Sequence, residues 1–372
     1  MINEERLLNT FLELVQIDSE TGNESTIQPI LKEKFIALGL DVKEDEAAKH
    51  PKLGANNLVC TMKSTIEEGE VPKLYLTSHM DTVVPAINVK PIVKDDGYIY
   101  SDGTTILGAD DKAGLAAMLE VLQVIKEQQI PHGQIQFVIT VGEESGLIGA
   151  KELNSELLDA DFGYAIDASA DVGTTVVGAP TQMLISAKAH ASTPKEGVSA
   201  INIAAKAISR MKLGQVDEIT TANIGKFHGG SATNIVADEV ILEAEARSHD
   251  PERIKTQVKH MTDVFETTAS ELGGKAVVTV EQSYPGFKIN DNETVVKIAQ
   301  ESARNLGLSA NTIISGGGSD GSIINTFGIP SVILGVGYEK IHTTNERMPI
   351  KSLNLLASQV LEIIKIVARQ SK

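Results

Sequence analysis

An α/β architecture is what this 372-residue chain predicts: a largely parallel mixed sheet with helices on both faces, interrupted by an α+β insert. Three observations carry the prediction. Helix-period and strand-period segments alternate through the first part of the chain. After Gly178 they give way to strands of strict two-residue period, and after Tyr284-Pro285-Gly286 the first style resumes. Alternation of this kind sets parallel strands side by side with helices as the crossovers. The length also exceeds what one hydrophobic core usually serves, so two domains are expected. The expected boundaries are 1–177 with 288–372 for the sheet domain and 178–287 for the insert.

Each element has its own warrant. Apolar residues at helical spacing predict helices over 4–15 and 25–38, the first amphipathic and acidic at its start. A signal peptide would instead begin basic and continue apolar. Segments 56–62 and 73–79 predict strands. AGLAAMLEVLQVIKE at 113–127 predicts a helix, and QIPHG at 129–133 a turn. A strand is expected over 134–141, mostly helix over 145–158 and a strand over 162–167. In the insert, strands are expected at 183–189, 238–249 and 275–282, and helices at 199–210 and 251–272. Val240, Leu242, Ala244 and Ala246 share one face of their strand, while Glu243, Glu245 and Arg247 share the other. The insert is expected to lay two helices over a four-stranded antiparallel sheet, three of whose strands are those at 183–189, 238–249 and 275–282. A helix at 292–305, a glycine-rich turn, a strand at 330–336 and a helix at 351–370 complete the chain.

Composition excludes several classes of partner. A net charge of −17 argues against nucleic acid and anionic membrane. No apolar run approaches the roughly 20 residues of a membrane span. The single cysteine, Cys60, excludes an internal disulfide and fits a reducing cytoplasm. In a strand-like segment it reads as a small buried hydrophobe.

Acids and histidines at strand ends carry the chemistry. His79 and Asp81 follow the 73–77 run and share one face of an extended backbone. Asp110-Asp111, Glu143-Glu144 and Asp167 stand at or past further strand-like runs, and His342 lies in a distal loop. Taken singly, each has an ordinary explanation, since acids favour helix N-termini. Together, imidazoles and carboxylates gather where open α/β sheets bind ligands, beyond the carboxyl ends of the strands. That set suits a pair of divalent metal ions. His79 is expected on a metal with Asp81 orienting its ring, and Asp110 is the natural bridge. Of Glu143-Glu144, one binds metal and the other takes a proton from the bridging water.

The motifs TSHMDTV, GADDKAG, GEESG, the aspartate of AIDAS and IHTTNE resemble the cocatalytic zinc aminoacylase/carboxypeptidase family, in the same order from about residue 5 to 370. The layout is most similar to the peptidase T-like branch, the tripeptide aminopeptidases. The resemblance implies a zinc-exopeptidase fold with an inserted lid and dimerisation domain. It assigns His79 and Asp167 to one zinc and Glu144 and His342 to the other, with Asp110 bridging, Asp81 supporting and Glu143 as base. It further implies a cis peptide between Asp110 and Asp111, and a lid histidine, His190, that reaches the partner subunit's site to stabilise an oxyanion. Asn234, Arg247 and the turn containing Gly316, Gly317 and Gly318 match residues that hold a substrate carboxylate. Arg247 has a second reading as a surface ion pair with its strand neighbours, and His190 as a pair within the insert. The expected enzyme is a cytoplasmic, homodimeric tripeptide aminopeptidase with two zinc ions per subunit, for which cobalt or manganese can substitute. Carboxypeptidase and N-acyl-amino-acid amidohydrolase are the alternatives within the class. A catalytically inactive metal- or peptide-binding protein is the alternative outside it.

Overall fold

The computed structural model describes residues 1–67, 71–194 and 197–370. The chain divides into two compact units. The first comprises Met1–Gly178, Lys288–Ser315 and Ser319–Lys372; the second comprises Ala179–Phe287 with Gly316–Gly318.

The first unit is built on a mixed sheet. Seven of its strands run in the order Asp41–Glu44, Leu58–Met62, Ile135–Thr140, Leu74–His79, Phe162–Ala168, Ser331–Gly335 and Thr175–Ala179, and Thr312–Ile314 pairs with the last. The four central strands, from Ile135–Thr140 to Ser331–Gly335, are mutually parallel, and the flanking ones are antiparallel. Leu74–His79 and Ile135–Thr140 are buried at every residue, as parallel strands covered on both faces must be. Leu74-Tyr75-Leu76 and Phe137-Val138-Ile139 accordingly read as short apolar runs, and buried polar residues Thr77, Ser78, His79 and Thr140 fall toward the strand ends. The Ala109–Gln128 helix is buried almost all round, which its alanine- and leucine-rich sequence permits. Beyond its first turn, its buried acid Glu120 is met by Arg6 at 2.6 Å and by the Asn3 amide at 2.7 Å. Helices Glu4–Val15 and Ile350–Val367 pack against it.

Two expectations need correction here. Residues 145–158 form only a short helix, Ile148–Glu152, and a 3-10 turn, Ser155–Leu157. Positive φ at Gly146 (98°) and Leu147 (59°) prevents the helix from starting earlier. Several short strands, among them Asp41–Glu44, Thr175–Ala179 and a small sheet of Arg347–Pro349, Tyr98–Tyr100 and Ile92–Val93, were not expected from the sequence. With two to five residues each, they are too short to show a period.

The second unit is an antiparallel sheet under two helices, Ala200–Arg210 and Pro251–Glu271. Its strands run in the order Gly214–Asp217, Thr220–Gly229, Glu239–Ser248, Thr181–Ala191 and Gly274–Tyr284. There are five strands rather than four. Two of them, Thr220–Gly229 and Gly214–Asp217, lie outside the segments expected as strands, and the second, GQVD, is a four-residue edge that pairs on one side only. Ala187, Ala189, Val240 and Leu242 pack with Ile203, Ala204 and Phe265 from the helices. The alternate positions, with His190, Glu245 and Arg247 among them, therefore lie on the face away from the helices.

Candidate active site

The sheet order determines what meets at its carboxyl edge. Leu74–His79 lies between Ile135–Thr140 and Phe162–Ala168, parallel to both. His79, the 141–144 turn and Asp167 therefore emerge together. The helix carrying GADDKAG starts against the same edge, and its first residues are not helical: Asp110 has φ −85°, ψ 103°. The Asp110-Asp111 peptide is cis. Asp111 acts as the cap, accepting from the Gly114 amide at 3.2 Å and from the Ser78 hydroxyl. A Cβ on Gly114 would stand 2.7 Å from both Asp111 carboxylate oxygens and 2.8 Å from Ser78 Oγ. Glycine is required there by this close approach.

Around this edge the predicted metal-binding side chains converge. His79 Nε2 lies 3.1 Å from Asp110 Oδ1 and 3.6 Å from Asp167 Oδ1. His342 Nε2 lies 3.3 Å from Asp110 Oδ2 and 3.0 Å from Glu144 Oε1. Asp110 thus stands between the two imidazoles, facing each with a different oxygen. Donor atoms of His79, Asp110 and Glu144 lie within 4.8 Å of one another, as do those of His79, Asp111 and Asp167. Imidazole nitrogen with carboxylate oxygen is a donor set for a borderline divalent ion, so the residues present fit the implied metal. His79 Nδ1 is 2.9 Å from the Asp81 main-chain oxygen; as the Nδ1–H tautomer it donates there and leaves Nε2 unprotonated. The Asp81 carboxylate is farther from that nitrogen, at 3.5 Å. Its two oxygens instead accept the amides of Glu143 (3.0 Å) and Glu144 (3.2 Å).

The electrostatics follow from burying many acids together. Asp110 and Glu144 push His342 up to about 10. Burial pushes His79 down, but Asp110, Asp167 and Asp81 outweigh it and raise the imidazole well above its ordinary value. Burial likewise pushes Asp110 up, yet His342 and His79 hold it below the usual carboxylate range. Glu143 is raised well above its ordinary value by burial and then by Asp167. Among the described residues its carboxylate has no hydrogen-bond partner, unlike that of Glu144. The site favours positive charge among its carboxylates and leaves one acid disengaged.

The remaining predicted residues belong to the second unit. His190 is half-exposed, with Nδ1 3.5 Å from Glu239 Oε2. Arg247 donates to Glu245 Oε2 at 3.1 Å and to the Gly316 carbonyl at 3.1 Å. The Gly318 amide donates to the Tyr284 hydroxyl at 3.1 Å. Gly316–Gly318 belong to the second unit together with these partners. Asn234 sits exposed in the loop before Glu239–Ser248.

Other residues at the edge escaped sequence reasoning. The Tyr338 hydroxyl lies 3.4 Å from Asp110 Oδ1 and 3.3 Å from Asp167 Oδ1. Glu346, buried, accepts the amides of Leu107, Gly108 and Asp110 at 2.8, 2.8 and 3.1 Å. Lys112 is buried, donates to the Ile17 carbonyl at 2.7 Å, and is pushed down to about 7 by burial. Glu346 ends the IHTTNE motif and Lys112 lies inside GADDKAG, so the positions were visible although their bonds were not.

A mixed α/β sheet gathering imidazoles and carboxylates at its carboxyl edge defines a class, and comparison with known proteins specifies it. The profile of peptidase family M20/M25/M40 matches residues 75–365, and the chain belongs to that family. Among solved structures, a tripeptidase from Staphylococcus aureus subsp. aureus Mu50 is 96% identical, covers 100% of both chains and superposes with a TM-score of 0.95. The aminopeptidase PepT from Bacillus cereus ATCC 10987 is 53% identical over 99% of this chain and 100% of its own, with a TM-score of 0.89. The protein YqjE of Bacillus subtilis (strain 168) is 54% identical over 375 residues, covering 99% of this chain and 100% of its own. Among the described residues no helix is long and apolar enough to cross a membrane.

Proposed function

We propose that this chain is a metal-dependent exopeptidase of short peptides, a tripeptide aminopeptidase. The observation that carries the reading is Glu143. Its backbone is tied to Asp81, its carboxylate is disengaged, and it stands beside a cluster of imidazole and carboxylate donors. Binding alone requires no free acid there, which weighs against an inactive metal- or peptide-binding protein. The names of the tripeptidase and PepT relatives, at 96% and 53% identity, support a tripeptide substrate cleaved from its amino end.

In this reading His79 and Asp167 would hold one zinc ion and Glu144 and His342 a second, with Asp110 serving both. When bound, the ions supply Lewis acidity to the scissile carbonyl and acidify a water molecule. Glu143 takes the proton from the attacking water and delivers it to the departing amine. Tyr338, within reach of Asp110 and Asp167, restrains both carboxylates. His190 serves the oxyanion of the partner subunit in a cytoplasmic homodimer formed through the insert. Arg247, Asn234 and Gly316–Gly318 receive the free carboxylate of the substrate.

A second reading rests on Arg247. A guanidinium suits any substrate with a free carboxylate, so a carboxypeptidase or N-acyl-amino-acid amidohydrolase would use it equally well. A hydrolysis panel on purified, zinc-loaded protein separates the two, comparing free tripeptides, dipeptides, N-blocked peptides and N-acyl amino acids. The expected result is preference for tripeptides with a free amino terminus. Preference for N-acyl substrates would overturn the aminopeptidase.

A further inference from the structure

The turn that carries Glu143 is held in an unusual way. Beyond the Ile135–Thr140 strand, four consecutive backbone amides have no strand partner, and each is accepted by a buried side-chain oxygen. The Val141 amide goes to Asn57 Oδ1 at 3.0 Å and the Gly142 amide to Glu24 Oε1 at 3.2 Å. Those of Glu143 and Glu144 go to the two oxygens of Asp81 at 3.0 and 3.2 Å. Asp81 belongs to the metal-site motif; Glu24 does not, and lies 118 residues away from Gly142 in sequence.

Glu24 is fully buried. Its Oε1 also accepts the Gly22 amide at 2.8 Å, and its Oε2 accepts the Gly54 amide at 2.7 Å. One carboxylate thus joins three chain segments. A Cβ on Gly54 would stand 2.6 Å from Glu24 Oε2, so the 54 loop closes directly over the carboxylate. The Thr21 and Ser145 hydroxyls, 3.0 Å apart, tie the same N-terminal segment to the far side of the turn. A carboxylate bonded through both oxygens cannot rotate without breaking a bond, and amide–carboxylate bonds are about twice as strong as neutral ones.

We propose that Glu24 is a positioning residue for Glu143: by holding the Gly142 amide against the 22 and 54 segments, it sets the backbone from which the Glu143 carboxylate reaches the reacting water. The inference rests on the reading of Glu143 as base. Glu24 is not among the residues that would hold metal or substrate in that reading. Its removal should therefore loosen the turn and slow the proton transfer while leaving metal binding intact.

The test compares Glu24→Ala, Glu24→Gln, Glu143→Ala and the Glu24→Ala/Glu143→Ala double variant as full-length protein. Hydrogen exchange of a peptide covering 141–149 is measured on metal-free protein. Zinc content, kcat and KM are measured on tripeptide with loaded protein. For Glu24→Ala, exchange in that peptide should quicken about tenfold or more. Its kcat should fall by about 10- to 100-fold, the scale of a misplaced catalytic group, with zinc content kept and KM within about threefold. In the Glu143→Ala background the same change should cost little more. If Glu24→Ala fails to fold, Glu24→Gln carries the test with a smaller effect, because it retains an acceptor for Gly22 and Gly142 and loses the one for Gly54.

Unchanged exchange at 141–149 overturns the inference, as does a kcat loss that follows loss of zinc or that persists in full beside Glu143→Ala. An inactive Glu143→Ala with a fully active Glu24→Ala overturns the inference alone. A fully active Glu143→Ala removes the base itself, and the inference falls with it.

Discussion

Glu346→Ala tests how much of the metal-site geometry depends on one buried acid outside the donor set. Glu346 is 1% exposed and accepts three main-chain amides, those of Leu107, Gly108 and Asp110. The last fixes the residue that stands between His79 and His342. Truncation leaves three buried donors without an acceptor, at about 1–3 kcal/mol each, which sets a ceiling of about 3–9 kcal/mol. Two effects lower this. Water can enter the emptied volume and satisfy some of the amides. Burial has also pushed the Glu346 carboxyl up to about 7, so the ionised group is already held at a cost. A loss of about 3–4 kcal/mol is expected for Glu346→Ala, and about 1–3 kcal/mol for Glu346→Gln, in which one amide faces an NH2 group. Urea unfolding of metal-free protein, followed by far-UV circular dichroism, measures both. Zinc affinity by chelator competition should fall in the same order, since Asp110 loses its tether. If both variants unfold within about 0.5 kcal/mol of wild type, the ordinary range for neutral surface changes, and zinc affinity is unchanged, the tether has no role.

Three further outcomes follow from other parts of the molecule. Arg6→Ala leaves Glu120, whose side chain is fully buried, with only the Asn3 amide. Breaking such a pair costs about 3–5 kcal/mol when both partners are buried. Arg6 is 31% exposed, so about 2 kcal/mol is expected in urea unfolding, whereas breaking the exposed Lys255–Glu252 pair should leave the midpoint unmoved. Gly114→Ala drives a methyl into Asp111 and Ser78 and should cost about 1–3 kcal/mol; a neutral result would show that the helix start yields. Zinc should protect wild type and Glu143→Ala equally against thermal unfolding, by about 2.7 kcal/mol per site at 100-fold excess over Kd. Glu143→Ala should nevertheless lose nearly all turnover, and a variant that binds no zinc would make Glu143 a ligand rather than the base.

The parts legible in the sequence were those with a period or a chemical oddity. The buried strands at 74–79 and 135–140 carry short apolar runs at their centres or starts, and 239–248 alternates, so each announced itself. His79, Asp110, Glu143-Glu144 and Asp167 stood out because strand ends do not need them, and His342 through the IHTTNE motif. What escaped had neither property. GQVD at 214–217 becomes a strand only by pairing with Thr220–Gly229. The helix expected from residue 145 onward starts late because of positive φ at Gly146 and Leu147. Asp81 was legible as a partner of His79, but not as the acceptor of two amides from a turn 62 and 63 residues away. Long-range bonds from a side chain to the backbone leave no mark at their own spacing.

Those bonds provide a rule for sorting the acids at the sheet edge. Burying a carboxylate is costly unless hydrogen bonds or cations meet it. Glu24 and Glu346 are each met by three amides, and Asp81 by two. Asp111 is met by an amide and a hydroxyl. These acids are satisfied by the chain itself, and their work is to hold backbone. Asp110, Glu144 and Asp167 are met instead by His79, His342 and the Tyr338 hydroxyl, groups that leave carboxylate lone pairs for a cation. By this rule Asp111, although close enough to be a donor, belongs with the holding acids, and Asp110 with the binding ones. Asp320 is intermediate: one oxygen accepts from Thr140, while the other is buried without a partner among the described residues. The rule makes Asp111→Asn a stability variant that keeps its zinc and Asp110→Asn a zinc-binding variant. Zinc titrations that ranked the two in the opposite order would refute it.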